Sequence, residues 1–397
     1  MNKKNIFIAF VLLSSINFWS FQGNKYQNVF ALLQLILSSF FIIYIAVFRK
    51  QPGNMYFKKY VLLFMFLPFL SILPCYAVHD QSLFISTRIM LMQLCWLFYF
   101  VLHRFQISEK EILKIFIFIG FIWTFLELVQ QFTYPTYFFY NRGDTLERDI
   151  EIRGGIYRYM IEGLLFGVLA FFYFLHKFFY SNQQRMKNLF FMIFFLLGIH
   201  LYMTRQVTVA VLACVFIAPF FLKINFRKKI LFFLGGIILI GSIYIYRDML
   251  FGELIEKTGD QMNEENIRVT SYKFYLNYWD DWSCFVFGNG VPHSNSSYGT
   301  YLINYLQKEL GLYRSDIGIV GELSKFGIIY IIVFIAFCFY FFRKSKEIKL
   351  YLKLYFILII FNLPMSFPFF EGGDYLIFSV YFYLCDRSIE TSKYNTV

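Results

Sequence analysis

The sequence predicts an all-α, polytopic membrane bundle, and three observations carry that prediction. Of 397 residues, 58% are hydrophobic and 23% aromatic, which leaves too little polar surface to cover a water-soluble core. Apolar runs of about 20 residues, the length that crosses a hydrocarbon layer of roughly 30 Å, recur along the chain. Lys and Arg gather in every second connection between those runs, as the positive-inside bias requires of a protein held in a bilayer.

Taken in order, the runs place about twelve spans. They lie near residues 5–21, 28–48, 60–78, 84–102, 112–133 and 159–176, then 188–204, 206–222, 230–246, 316–342, 351–366 and 373–386. Arg205 splits an otherwise continuous apolar stretch, and Pro364, Pro368 and the Gly372-Gly373 pair interrupt the last two spans. The first run lacks a small-x-small cleavage pattern and a second span follows at once, so it reads as a retained anchor rather than a removed signal peptide.

The basic connections are Lys3-Lys4; Arg49, Lys50, Lys58 and Lys59; Arg104 and Lys110; Arg185 and Lys187; Lys223 and Arg227 to Lys229; Arg343, Lys344, Lys346 and Lys349; and Arg387 with Lys393. Both termini are therefore expected in the cytoplasm. The net charge of +12 is mostly topology, and a nucleic-acid partner does not follow from it. Residues 1–397 form a single integral membrane domain with two long polar connections on the opposite face, a shorter one at 134–158 and a larger one at 247–314.

Several chemistries lack their signatures. There is no Gly-rich phosphate loop, HExxH, GxSxG or nucleotide motif, so ATP-driven transport is not expected. The six cysteines are scattered, with no disulfide framework and no metal-ligand spacing. Neither a metal nor a cofactor is expected.

Polar residues that a membrane makes expensive are the candidates for function. Arg88 lies within FISTRIMLMQLCW, where a central arginine costs about 2.5–3.5 kcal/mol on insertion scales without a partner or a wet cavity. It either meets an anion inside or snorkels to the interface. Arg205, in LYMTRQVTVAV, opens a turn too short to let its side chain roam, so an inward anion-binding role competes with that of an ordinary loop residue. Arg142, Arg148, Arg153, Arg158, Arg247, Arg268 and Arg314 stand on the outward side, against the usual bias, and point to an anionic ligand there. Carboxylates interleave with them, so surface ion pairs account for most.

His293 stands in GNGVPHSN among turn-forming residues. Imidazole takes a proton from a hydroxyl near neutral pH, although a lone loop histidine is more often structural. His79, His103, His176 and His200 fall at helix ends and read as structural. Tyr272, Phe274, Tyr275, Tyr278, Trp279 and Trp282 offer rings for stacking on sugars. With 56 Phe and 31 Tyr in the chain, an interfacial role fits them better.

In chain order stand TRQ with Arg205, NIRVTSYKFYLNYW with Arg268, FGNG, PHSNSSYGTYL with His293, and SDIGIVGELSKFGIIYI. This series resembles the Wzy-type O-antigen polymerases of the O-antigen ligase and polymerase superfamily. The likeness in topology covers nearly the whole chain, and the motifs lie between Thr204 and Tyr330. The resemblance implies a multi-pass glycosyltransferase of the bacterial inner membrane whose active cavity opens at the outer leaflet, beneath the large periplasmic loop. It implies undecaprenyl-diphosphate-linked oligosaccharide and the lipid bilayer as partners, together with a chain-length regulator protein. Arg205 and Arg268 then match arginines thought to hold the diphosphate, with Arg88 and Arg314 as further cations for it, and His293 matches the loop histidine near the acceptor. Two departures stand out: the His-Asn-x-x-Leu pattern becomes HSNSSYGTYL, and the Arg-x10-Gly repeats are missing from both outward loops.

Elementary chemistry fits the same residues. When an acceptor hydroxyl attacks an anomeric carbon and a diphosphate leaves, cations that stabilise the growing charge lower the barrier. Arginine does this without a metal and bidentately. His293 serves as base or holds the hydroxyl, with Asp316 and Glu322 as rival bases at the start of the following helix. An ion pair with Arg314 or Lys325 is the competing role for Glu322. A ligase that moves the finished glycan to lipid A core or another acceptor shares every one of these features. A flippase for the lipid-linked glycan would show internal repeats and a central polar path, whereas here polarity gathers on one face.

Overall fold

The computed structural model describes residues 2–16, 27–47, 53–133, 151–153, 156–159, 161–180, 184–202, 204–222, 267–369 and 372–394. A helix falls on each expected span except the one at 230–246, which lies outside the described residues. Four helices among the described residues are long and apolar enough to cross a membrane, Lys58–Ala77, Leu83–Phe105, Glu109–Thr133 and Arg314–Glu347. Leu35–Val47, Leu164–Tyr180, Gln206–Phe221 and Leu350–Asn362 are shorter apolar helices. The chain is a helical membrane protein.

The elements run α1 (Lys3–Ser15), α2 (Gln27–Val47), α3 (Lys58–Ala77), α4 (Leu83–Phe105), α5 (Glu109–Thr133), α6 (Leu164–Tyr180), α7 (Arg185–Leu201) and α8 (Arg205–Phe221). After the gap come α9 (Ile267–Asn277), α10 (Trp282–Phe287), α11 (Ser297–Gly299, continuing as a π-helix over Thr300–Glu309), α12 (Gly318–Lys344), α13 (Leu350–Asn362) and α14 (Gly372–Tyr394). A small hairpin of β1 (Glu151–Arg153) and β2 (Ile156–Arg158), with Ile152 opposite Tyr157, adds the strand pair that the sequence did not announce. The Gln131 side chain meets both the N–H (3.1 Å) and the C=O (2.7 Å) of Tyr157, so α5 carries the hairpin.

Local chemistry explains several of these boundaries. Ser108 and Glu111 form a reciprocal capping box at the start of α5: Glu111 N–H donates to Ser108 Oγ (3.3 Å) and Ser108 N–H to Glu111 Oε2 (3.2 Å). Pro68 accompanies a tightening of α3 into a 3-10 stretch over Leu67–Ser71. Helix α13 ends at Asn362, two residues before Pro364, whose fixed φ and missing N–H do not continue a helix. Helix α14 runs well past the expected 373–386, and Leu376 to Cys385 are buried on every face, which makes the last helix a central one.

In a bilayer, helices associate through close packing rather than through the hydrophobic effect. Helices α5, α6 and α7 achieve it with glycine against Trp123 and Thr124. A Cβ added at Gly167 would lie 2.3 Å from the Trp123 ring, and one at Gly198 would lie 2.8 Å from the Thr124 side chain. Aromatic rings fill the centre elsewhere, with Phe64, Trp96, Phe369 and Phe382 in mutual contact.

Among the described residues the connections meet at two ends. At the basic end Lys349 pairs with Glu109 (2.6 Å), Asn54 N–H donates to Glu390, and Lys4 donates to the Phe105 carbonyl. Buried Asp386 accepts there from Tyr99, from His103 (3.0 Å) and from the Phe57 N–H (3.2 Å). At the other end residues 79–81 meet 289–296, and the Leu363 carbonyl accepts from Ile319 N–H.

Helix α12 departs from the continuous span expected at 316–342. It breaks at Gly327 (φ 75°, ψ 177°), a conformation essentially confined to glycine. The break frees carbonyls that a helix would use, and the FGNG segment takes them: Asn289 N–H donates to Ser324 O and Gly290 N–H to Lys325 O, both at 2.9 Å. The fit is close on both sides, since a Cβ at Gly327 would lie 2.3 Å from Val286 O and one at Gly288 2.1 Å from Lys325 O. Gly327→Ala is therefore expected to lower the melting temperature of the detergent-purified protein, with backbone strain alone costing about 1–3 kcal/mol. Gly288→Ala should be at least as damaging, and unchanged melting in both variants would show that the strap is not held this way.

Candidate functional site

The strap places Asn289 at the centre of a polar cluster. Fully buried, this side chain donates from Nδ2 to the Tyr278 carbonyl (3.1 Å) and to the Ser324 carbonyl (3.2 Å), and these two bonds fix its amide. Its Oδ1 therefore accepts from His79 Nε2 at 2.8 Å. His79, just past the end of α3, lies parallel to the rings of Tyr298 at 4.2 Å and Tyr278 at 6.0 Å. Burial pushes its pKa below the ordinary value, and the bond to Asn289 and the charge of Asp280 partly offset this.

Gln81 ties the same connection to the loop histidine. Its Nε2 donates to the Val291 carbonyl (3.0 Å) and to Ser86 Oγ (2.9 Å), while its Oε1 accepts from His293 N–H (2.9 Å) and Ser296 Oγ (2.8 Å). The His293 ring is half-buried, and its Nδ1 accepts the Asn295 N–H at 3.1 Å. With Nδ1 engaged as an acceptor, the neutral ring carries its proton on Nε2 and offers a donor.

Arg314 turns inward. Almost wholly buried, it donates to the Gly290 carbonyl (3.0 Å) and to Tyr298 Oη (2.8 Å), and its guanidinium lies over the rings of Tyr275 (5.4 Å) and Tyr298 (5.9 Å). No carboxylate pairs with it among the described residues, and its Nε has no hydrogen-bond partner among them. Glu322, one turn inside α12, is bonded to Lys325 at 2.6 Å, and both are buried. This is the ion-pair role expected as one alternative for Glu322, with Lys325 rather than Arg314 as the partner. Its Oε2 has no partner among the described residues.

The other expected site residues are placed as follows. Asp316 accepts from Ser315 Oγ (3.2 Å) in the turn before α12. Arg268 opens α9 near the connection after α13, with Nη1 3.9 Å from Met365 Sδ, and the nearby Tyr272 hydroxyl bonds the Pro364 carbonyl. Arg88 is exposed on the second turn of α4 and makes none of the cluster's hydrogen bonds. Arg205 begins α8 as expected, but its side chain lies outside the described residues, as do Arg142, Arg148 and Arg247. The cluster thus unites His293, Arg314 and the FGNG strap, with Glu322 and Lys325 behind them. His79, Gln81 and Asn289 are the members that sequence reasoning missed. Their signal is faint: VHDQS is a polar interruption between two apolar runs, and Asn289 is the polar letter of FGNG.

Removing one member of the Glu322–Lys325 pair leaves a buried charge unmatched. Glu322→Ala or Lys325→Ala should each cost about 3–5 kcal/mol, while joint replacement by Leu and Met should cost far less. Thermal unfolding of the three variants in one detergent checks this, and a double variant that simply sums the two losses would show the pair to be uncoupled. No protein-family model and no curated protein matches the chain, so the reading of the site rests on its own residues.

Proposed function

We propose that the chain is a polysaccharide polymerase of the bacterial inner membrane, joining oligosaccharides carried on undecaprenyl diphosphate at the periplasmic face, with both termini in the cytoplasm. The observation that supports this most is spatial. FGNG, PHSNSSYG and RSDIGIVGELSK, the segments that carry the sequence resemblance, pack as one hydrogen-bonded unit at the end opposite the basic connections.

In this reading the acceptor hydroxyl attacks the anomeric carbon of the donor, the bond from that carbon to the diphosphate oxygen breaks, and the electron pair leaves with the diphosphate. Arg205 and Arg268 hold the diphosphate and stabilise its growing charge. His293 donates from Nε2 to a sugar hydroxyl, consistent with its occupied Nδ1. Buried Arg314 keeps the strap and Tyr298 in register, and its charge, not cancelled by a neighbouring carboxylate among the described residues, adds to an anion-attracting field.

The test is reconstitution of the purified protein with lipid-diphosphate-linked oligosaccharides extracted from the cells that make it, with the products run on a gel. A ladder of lengths is expected, and donor left unchanged would sink the proposal. A single transfer to a lipid A core acceptor without a ladder would indicate a ligase instead. Arg205→Ala and Arg268→Ala should each abolish long chains while the protein stays in the membrane, and normal chains in both would remove the diphosphate assignment.

A further inference from the structure

Two histidines enter the cluster, and their hydrogen bonds give them opposite characters. His293 accepts at Nδ1 and is left with a donor at Nε2. His79 is the reverse. Asn289 Oδ1 can only accept, because the amide nitrogen is engaged by two carbonyls, so the His79 proton sits on Nε2 and the lone pair is left at Nδ1.

That nitrogen has no hydrogen-bond partner among the described residues and faces the carboxylate of Asp280 at 3.9 Å. The His79 side chain is largely enclosed, 7% exposed, with Asn289 on its Nε2 and the Tyr298 and Tyr278 rings parallel to it, while the Asp280 side chain beside Nδ1 is 57% exposed. An imidazole whose N–H is held by an amide oxygen keeps its lone pair on the other nitrogen, where it can take a proton, and a carboxylate beside that nitrogen stabilises the imidazolium so formed.

We propose that His79 is the proton acceptor of the transfer, a role that rests on the glycosyl-transfer reading above. The acceptor hydroxyl donates to Nδ1. As the new bond from its oxygen to the anomeric carbon forms and the bond to the diphosphate breaks, the proton moves to Nδ1 and the diphosphate leaves with the electron pair. The imidazolium so formed is balanced by Asp280 and then returns its proton to water. Asn289 is a positioning residue, fixing ring and tautomer.

The charged and titratable groups around the ring set the pH range. Asp280 and Asp80 favour the protonated form, whereas burial and Arg314 favour the neutral one, and the outcome is a depressed pKa. A base must be neutral to act, so the rate should be full near pH 7 and fall only as the pH drops through that lowered pKa.

The experiment measures initial rates with the extracted lipid-linked oligosaccharides, comparing wild type, His79→Gln and Asp280→Asn. Glutamine keeps a donor for Asn289 but offers no base. His79→Gln should lose about 100-fold or more in kcat at an unchanged KM for donor. Exposed Asp280→Asn, which leaves the packing intact, should move the acid limb of the wild-type profile to lower pH by a few tenths of a unit. A His79→Gln variant that loses less than about tenfold, or loses activity through KM alone, overturns the assignment, as does an acid limb that Asp280→Asn leaves in place. Nitrogen-15 spectra of histidine-labelled protein, needing no substrate, should show His79 protonated at Nε2, and a proton on Nδ1 overturns it as well. Wild-type protein that makes no product at all refutes the glycosyl-transfer reading rather than this step alone.

Discussion

Two backbone hydrogen bonds fix the polar cluster at one end of the molecule, those from Asn289 and Gly290 to the carbonyls of Ser324 and Lys325. An unbroken helix would spend those carbonyls on its own ladder, and within a bundle there is little water to replace a partner. Each buried group left unsatisfied costs about 1–3 kcal/mol. The break at Gly327 and the strap that covers it therefore require each other. Everything else in the cluster follows from the strap's position: Asn289 reaches His79, the Gly290 carbonyl holds Arg314, Arg314 holds Tyr298, and Val291 meets Gln81, which in turn binds His293. Residues 289 and 290 are thus joined to α12 by their backbone rather than resting on it.

The charges of this end are arranged differently from those of the basic end. At the basic end carboxylates accompany the cations, as Glu109 does Lys349 and Glu390 does Arg387. At the strap, Arg314 is met by a carbonyl, a phenol and two ring faces, which a weakly hydrated guanidinium tolerates better than an ammonium would. Lys325, with its compact charge, has a carboxylate partner in Glu322. Among the described residues Arg314 thus carries its charge without a paired carboxylate, while Asp280 and Asp80 lie on the His79 side of the cluster.

Much of the helical layout was legible because the length of an apolar run is a local property, and the bilayer turns that length into a span. The alternation of basic connections was legible for the same reason, and among the described residues contacts such as Lys4 with Phe105 and Asn54 with Glu390 bring several of them together. What escaped the sequence depends on partners far away in the chain. His79 reads as an ordinary helix end until Asn289, 210 residues later, is placed against it. Gly327 is one glycine in an apolar segment until Val286 shows why no side chain fits. The central position of α14 was hidden because interruptions by Pro364, Pro368 and Gly372 made it look marginal, whereas its uniform burial is a product of neighbours. For Arg205 the structure supplies the start of α8 and no more.

The break also bears on the depth of the site in a membrane. From Ile328 to Lys344, α12 rises roughly 25 Å at 1.5 Å per residue, close to the roughly 30 Å of a hydrocarbon layer. Arg343 and Lys344 close that stretch at the basic end, so Gly327 stands near the opposite boundary. Residues before the break include the Glu322–Lys325 pair, which a lipid-facing position would penalise and a buried, partnered one permits. Trp282, Tyr301, Tyr305 and Tyr313 are exposed around the strap, and rings with a polar edge favour headgroup depth. A lipid-linked diphosphate lies at that same depth, since its anchor sits in hydrocarbon and its charge does not. On the proposed glycosyl-transfer reading, the strap, the histidines, Arg268 of α9 and Arg314 before α12 would meet the leaving group at that depth, without the substrate leaving its leaflet.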